Sequence, residues 1–245
     1  MLTYLFYIIL GFLPSIIWLL FYLRKDVHPE PNSQVIKIFI WGMLIAPLAV
    51  FLEFILVWLT KPSFELKTIL NFFQLTGSRG ILILVLIAPL VEEYLKYAIV
   101  KEKILKNPEF DEPLDAMLYL IIGALGFAAV ENLITILKTP LIPVSQAIGI
   151  ISFRFIGATF LHALASATVG YYLAKSFLET KKRFPLIIHG LALAIIFHGS
   201  YNYFTVLTEV WWPAPFLIVL LILSMAICVS LNFKKLKKQL SICKI

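Results

Sequence analysis

Seven apolar runs, each long enough to cross a bilayer, dominate this chain: about 2 to 23, 35 to 59, 80 to 100, 114 to 137, 147 to 174, 185 to 207 and 211 to 232. A helix rises about 1.5 Å per residue, so roughly 20 apolar residues span the hydrocarbon core. Backbone N–H and C=O groups in that core must be satisfied within their own segment, so continuous apolar runs predict an all-α, polytopic transmembrane bundle of about seven spans. Composition agrees: 61% of the 245 residues are hydrophobic and 14% are charged, where a soluble domain carries about a quarter charged. The connections are short, so one integral membrane domain over 1–245 is expected, multi-pass in the cell membrane. The first run exceeds a signal-peptide core, has no basic residue ahead of it and is followed by Arg24-Lys25, so it is expected to persist as a helix.

The net charge of +7 does not read as a nucleic-acid surface, because the basic residues sort by loop. Fifteen fall on one side: Arg24, Lys25, Lys37, Lys101, Lys103, Lys106, Lys175, Lys181, Lys182, Arg183, Lys234, Lys235, Lys237, Lys238 and Lys244. Four fall on the other: Lys61, Lys67, Arg79 and Lys138. Positively charged loops stay inside, so the N-terminus is expected outside and the C-terminus in the cytoplasm. The bilayer is the expected partner, and no nucleic acid is. Cys228 and Cys243 form neither a disulfide framework nor a zinc cluster.

Function must then reside in the helices. An ionisable side chain at the bilayer centre costs about 2.5 to 3.5 kcal/mol on insertion scales, so each needs a partner or a purpose. Glu53, Glu92, Glu93, Lys96, Glu131, Arg154, His162 and His198 all fall inside apolar runs. Positions three or four apart share a helical face, which pairs Glu92 with Lys96, Phe127 with Glu131 and His198 with Asn202; Arg154 and His162, eight apart, are expected on one face of the fifth span. Pro89 predicts a kink just before the two glutamates. Small residues (Gly123, Gly126 and Ala129 in the fourth span, Gly157, Ala163 and Ala167 in the fifth) predict that these two spans are central, with the first and last facing lipid. Glu53, one helix earlier, reads as a packed or interfacial acid, and His28 and His189 as surface residues. Static ion pairs, Glu131 with Arg154 and Glu93 with Lys96, are an alternative account of the charges. They leave two intramembrane histidines and an adjacent glutamate pair unexplained.

Glu92-Glu93-Tyr94-Leu95-Lys96 reads as E-E-x-x-K, and Phe127-Ala128-Ala129-Val130-Glu131-Asn132 as F-x-x-x-E-N. With Asp111-Glu112-Pro113-Leu114-Asp115, the stretch from Arg154 through His162 to Gly170, and Phe197-His198-Gly199-Ser200-Tyr201-Asn202, the chain resembles a PrsW-type intramembrane protease. The resemblance covers a motif-bearing core of about 85–205. PrsW-type proteins are distantly similar to the CAAX prenyl protease and ABI superfamily, whose pattern is E-E-x-x-x-R, F-x-x-x-H and H-x-x-x-N. This chain departs from that pattern in placing Lys96 one position earlier than the arginine and Glu131 where the superfamily has histidine; His162 is the candidate for the missing imidazole.

The resemblance implies an intramembrane endopeptidase with Glu92, Glu93, Glu131, His162, His198 and Asn202 as catalytic residues, supported by Lys96, Phe127 and Arg154. In the favoured assignment Glu92 activates a water without a cofactor, and His198 and Asn202 donate to the oxyanion. In the alternative, His162, His198 and Glu131 hold zinc, although no H-E-x-x-H is present. The implied partner is a single-span membrane protein, in some family members a membrane-anchored regulator such as an anti-sigma factor. Two rival functions are an ion- or proton-coupled transporter or channel, which predicts broken helices and inverted repeats, and a catalytically silent membrane binding protein. For topology, a C-terminal fluorescent reporter that requires the cytoplasm should light up; a reporter active only outside the cell would contradict the orientation if it worked at that position.

Overall fold

A computed structural model describes residues 2–26, 28–60, 81–105, 107–108, 110–137 and 142–239. Lys61, Lys67, Arg79, Lys106, Lys138, Cys243 and Lys244, used above for charge and cysteine usage, lie outside the described residues. Among the described residues every regular element is helical. α1 is Leu2–Leu23 and α2 is Asn32–Thr60. α3 begins with a π turn, Ile83–Ile87, and continues as Ala88–Lys103. α4 is Pro113–Leu137, α5 Val144–Ile156, α6 Ala158–Leu178, α7 Arg183–Leu207 and α8 Ala214–Leu236.

Taking α5 and α6 as one interrupted span, this is the expected membrane bundle. Among the described residues, six spans are long and apolar enough to cross a bilayer. α3 is the exception, because Glu92, Glu93 and Lys96 interrupt its apolar run. α4 is the axis: it is buried continuously from Pro113 to Ala129 and packs against α1, α2 and α6. Glycines permit the approach. A Cβ on Gly42 would lie 2.0 Å from the carbonyl oxygen of Gly123, one on Gly126 would lie 2.0 Å from that of Phe39, and one on Gly170 would lie 2.4 Å from Met117 Cα. The central spans are therefore the ones their small residues indicated, and α8 turns Phe216, Leu220 and Ile227 outward.

The N-terminus of α4 is tied to the loop before α2. Asp115 Oδ2 accepts the backbone N–H groups of Asp111 and Glu112 at 3.0 and 2.7 Å, which places a carboxylate at the positive end of the helix. Tyr119 donates its hydroxyl to Glu30, and His28 Nδ1 lies 2.6 Å from Glu112.

The structure departs from a continuous fifth span. The chain breaks at Gly157, where φ is −88° and ψ is −101°, and a Cβ there would meet the Tyr201 hydroxyl at 2.4 Å. A break exposes carbonyls that lack helical donors. Trp18 answers this by donating Nε1–H to Phe155 O at 2.8 Å while its ring stacks on Phe160, centroids 3.9 Å apart. Gly126→Leu should push α2 off α4 and lower the unfolding midpoint in detergent by the equivalent of about 1 to 3 kcal/mol or more. Gly149→Leu, with nothing within 4 Å of its Cβ, should leave the midpoint unchanged.

Candidate active site

The site begins with a backbone defect. Pro89 has no N–H, and in the π turn before it the Ala88 N–H is drawn to Ile83 O. Leu84 O thereby loses both of its in-helix donors: Ala88 is taken, and the next residue on is Pro89. Asn202 of α7 replaces them, donating Nδ2 to Leu84 O at 2.8 Å. Beside it, Gly199 lets α7 lie against Val85 O, where a Cβ would come within 2.0 Å. Pro89 thus produces a π turn clamped from α7, and Glu92 and Glu93 follow on the next turn of α3.

Lys96 organises what these glutamates meet. Its side chain is fully buried, and its Nζ lies 2.8 Å from Glu93 Oε1, 3.4 Å from Glu92 Oε2 and 2.8 Å from His162 Nδ1, over the Phe127 ring at 4.4 Å. An ammonium can only donate, so His162 Nδ1 accepts and its proton sits on Nε2. That N–H donates to Glu131 Oε2 at 2.6 Å, and Arg154 Nη2 reaches the same oxygen at 3.1 Å. Arg154 Nε donates to Asn132 Oδ1 at 2.5 Å, and Asn132 Nδ2 donates onward to Gly11 O and Thr159 Oγ1. The E-N of the fourth-span motif therefore joins α1, α4, α5 and α6. The second imidazole, on His198, faces Glu93 Oε1 through Nδ1 at 2.9 Å, which leaves Nε2 3.9 Å from Glu92 Oε2.

These groups line a cavity of about 550 Å³. Glu92, Glu131, His162, His198, Asn202, Phe127 and Arg154 all border it, whereas Glu93 and Lys96 lie fully buried behind the wall. Toward the ends of α4 and α7 the lining is mostly apolar, with Ile134, Ile150, Phe153 and Val206 beside Thr135 and Thr205. Two residues near the site were not assigned to it from sequence. Glu53, read as a packed or interfacial acid, is 5% exposed and lines this same cavity. Ser166 donates to Glu93 Oε2 at 3.2 Å, and its position four residues after His162 on one face was the available signal. His189 is a surface residue as expected, against Tyr172.

Comparison with known proteins identifies the family. The family described as PrsW family intramembrane metalloprotease matches residues 30–230. The chain belongs to the PrsW family. It is 28% identical to Protease PrsW of Geobacillus kaustophilus over 194 residues, covering 78% of this chain and 75% of that one. It is 27% identical to Protease PrsW of Clostridioides difficile over 237 residues (95% and 91%), and 25% identical to that of Bacillus subtilis over 203 residues (82% and 83%). No solved structure matches. The protein is thus a multi-pass intramembrane protease, and the PrsW match extends beyond the 85–205 motif core to take in α2 and most of α8.

A metalloprotease of this family would need a seat for a metal ion such as zinc. Among the described residues Glu92, Glu93, His162 and His198 bring ligand-type atoms within 4.8 Å of one another. The Lys96 ammonium already donates among them, and both ring nitrogens of His162 are engaged. Zinc takes deprotonated ligands in an open tetrahedral seat, so this arrangement does not fit it. Nor is the set the one expected: Glu131 is turned to His162 Nε2 and Arg154 instead of joining the four. Lys96→Met should leave Glu93 buried without its ammonium partner and destabilise the protein by about 3 to 5 kcal/mol. Thermal unfolding in detergent should show that loss, and Lys96→Met combined with Glu93→Gln should recover much of it.

Proposed function

We propose that this protease cleaves a membrane-anchored, single-span protein with a water activated by Glu92. The observation that carries this reading is which carboxylates remain once the ion pairs form. Glu93 is held by Lys96 and His198, and Glu131 by Arg154 and His162. Glu92 faces the cavity with a side chain 12% exposed, 3.8 and 3.9 Å from the two imidazoles. Static ion pairing thus accounts for Glu93 and Glu131 and leaves Glu92, whose contact with Lys96 is the longer at 3.4 Å, as the carboxylate positioned for chemistry.

In this reading a water on Glu92 gives up its proton to the carboxylate as its oxygen lone pair attacks the scissile carbonyl. The carbonyl π electrons move to oxygen, and that oxyanion accepts hydrogen bonds from protonated His198 Nε2 and from the second Nδ2–H of Asn202. Glu93 holds the Nδ1–H of His198 and so stabilises the imidazolium, as a buried carboxylate does beside a catalytic histidine. The tetrahedral intermediate collapses, the C–N bond breaks, and Glu92 returns its proton to the leaving amine. The mostly apolar end of the cavity suits the unwound end of a hydrophobic helix, and the membrane-anchored regulators of some family members are the substrate class it would take. It sits toward the ends of α4 and α7 opposite the lysine-rich ends of α3, α6 and α8, which is the outer face in the orientation read from the charges.

Purified protein and a labelled single-span substrate in detergent test this. Glu92→Gln and Glu93→Gln should abolish cleavage while the protein remains folded, and Glu53→Gln, outside the hydrogen-bonded group, should retain turnover. His198→Ala should lower kcat by about 10² to 10³ with little change in KM. Stoichiometric zinc in the wild type by elemental analysis, lost in both His162→Ala and His198→Ala, would replace this mechanism with a metal-dependent one.

A further inference from the structure

A second recess, of about 830 Å³, opens between α1 and α8 on a different side of the bundle from the catalytic cavity. Its inner surface is the aromatic stack of Trp18, Phe155 and Phe160, with Leu164 as the floor. At one end three ammonium groups converge from two helices: Lys25 just past α1, and Lys234 and Lys237 at the end of α8. Lys234 and Lys237 are three apart and share a face, while Lys235 and Lys238 on the same turns do not line the recess. None of the three lining lysines forms an ion pair among the described residues, and Lys25 Nζ rests over the Phe21 ring at 4.8 Å.

An apolar slot that ends in unpaired cations at the membrane surface is complementary to a molecule with a hydrocarbon tail and an anionic head. Its volume lies within the range of small-ligand sites, about 300 to 1,000 Å³. A transmembrane helix, about 10 Å across, would fit for only about two turns. We propose that this recess binds one anionic phospholipid, with its phosphate on Lys25, Lys234 and Lys237 and an acyl chain against Trp18, Phe155 and Phe160. The chain would then lie on the same stack that donates Trp18 Nε1–H to Phe155 O beside the Gly157 break.

Native mass spectrometry of the full-length protein in detergent, titrated with dioleoylphosphatidylglycerol or dioleoylphosphatidylcholine, tests the assignment. The wild type should retain one phosphatidylglycerol at least tenfold more tightly than phosphatidylcholine. Changing Lys25, Lys234 and Lys237 together to Gln should remove that preference, whereas Lys235→Gln with Lys238→Gln should preserve it. Ala226→Phe, which fills the slot without altering charge, should also weaken retention, and glycerol phosphate without acyl chains should not bind. Equal retention of the two lipids, equal losses in the two lysine sets, or indifference to Ala226→Phe would each overturn the proposal.

Discussion

The site depends on one buried cation. Lys96 has no solvent-accessible side-chain surface, and its ammonium is shared by Glu92, Glu93 and His162 above the face of Phe127. Because it can only donate, it fixes the tautomer of His162, and that tautomer sends the remaining N–H to Glu131. Lys96 therefore links α3, α4 and α6 by geometry as well as charge. Removing one partner of such a cluster costs more than forming it gains, since the remaining charge cannot be rehydrated.

The two backbone interruptions near the cavity follow a common logic. Each frees carbonyls in a setting where water is scarce, and each is answered by a side chain from another helix: Asn202 for Leu84 O at the π turn, Trp18 for Phe155 O next to Gly157. Asn202 consequently has structural work, holding α3 to α7, beside the donor role its place after His198 suggested. One of its two amide hydrogens is committed to the backbone, and the other remains for the cavity. Broken helices are also what a transporter would show, yet here both breaks are accounted for by local satisfaction and by the position of the glutamates.

Much of this could be read in the sequence because a membrane makes polar residues conspicuous. The spans, the central position of the glycine-rich helices and the convergence of Glu92, Glu93, Lys96, Glu131, Arg154, His162 and His198 all followed from apolar run length and helical spacing. Other features did not, for identifiable reasons. Glu53 carries no motif, and its entry into the cavity depends on how α2 packs on α4 through Gly42 and Gly126, a tertiary fact. Pro89 announced a kink but not the register change of a π turn. The Gly157 break was hidden because its flanks, Phe153 to Ile156 and Ala158 to Leu161, are as helix-compatible and apolar as the rest of the span. Arg154 and His162 meet at Glu131 all the same, because the break reorients α5 without separating it from α4.

Charge balance ties the cost of this site to its chemistry. Four carboxylates, Glu53, Glu92, Glu93 and Glu131, share the region with two permanent cations, Lys96 and Arg154. Lys96 is drawn to Glu93 more closely than to Glu92, and Arg154 to Glu131, so the weakest compensation falls on Glu92 and Glu53, both of which border the cavity. A carboxylate in low dielectric without a cation needs water or a proton. Both Glu92 and Glu53 border the 550 Å³ space. On the mechanism proposed above, the imbalance that makes this group of residues expensive to place in a membrane holds water against Glu92, the reagent that peptide hydrolysis requires. An arrangement neutralised pair by pair would be cheaper and dry, and it would have no nucleophile to offer.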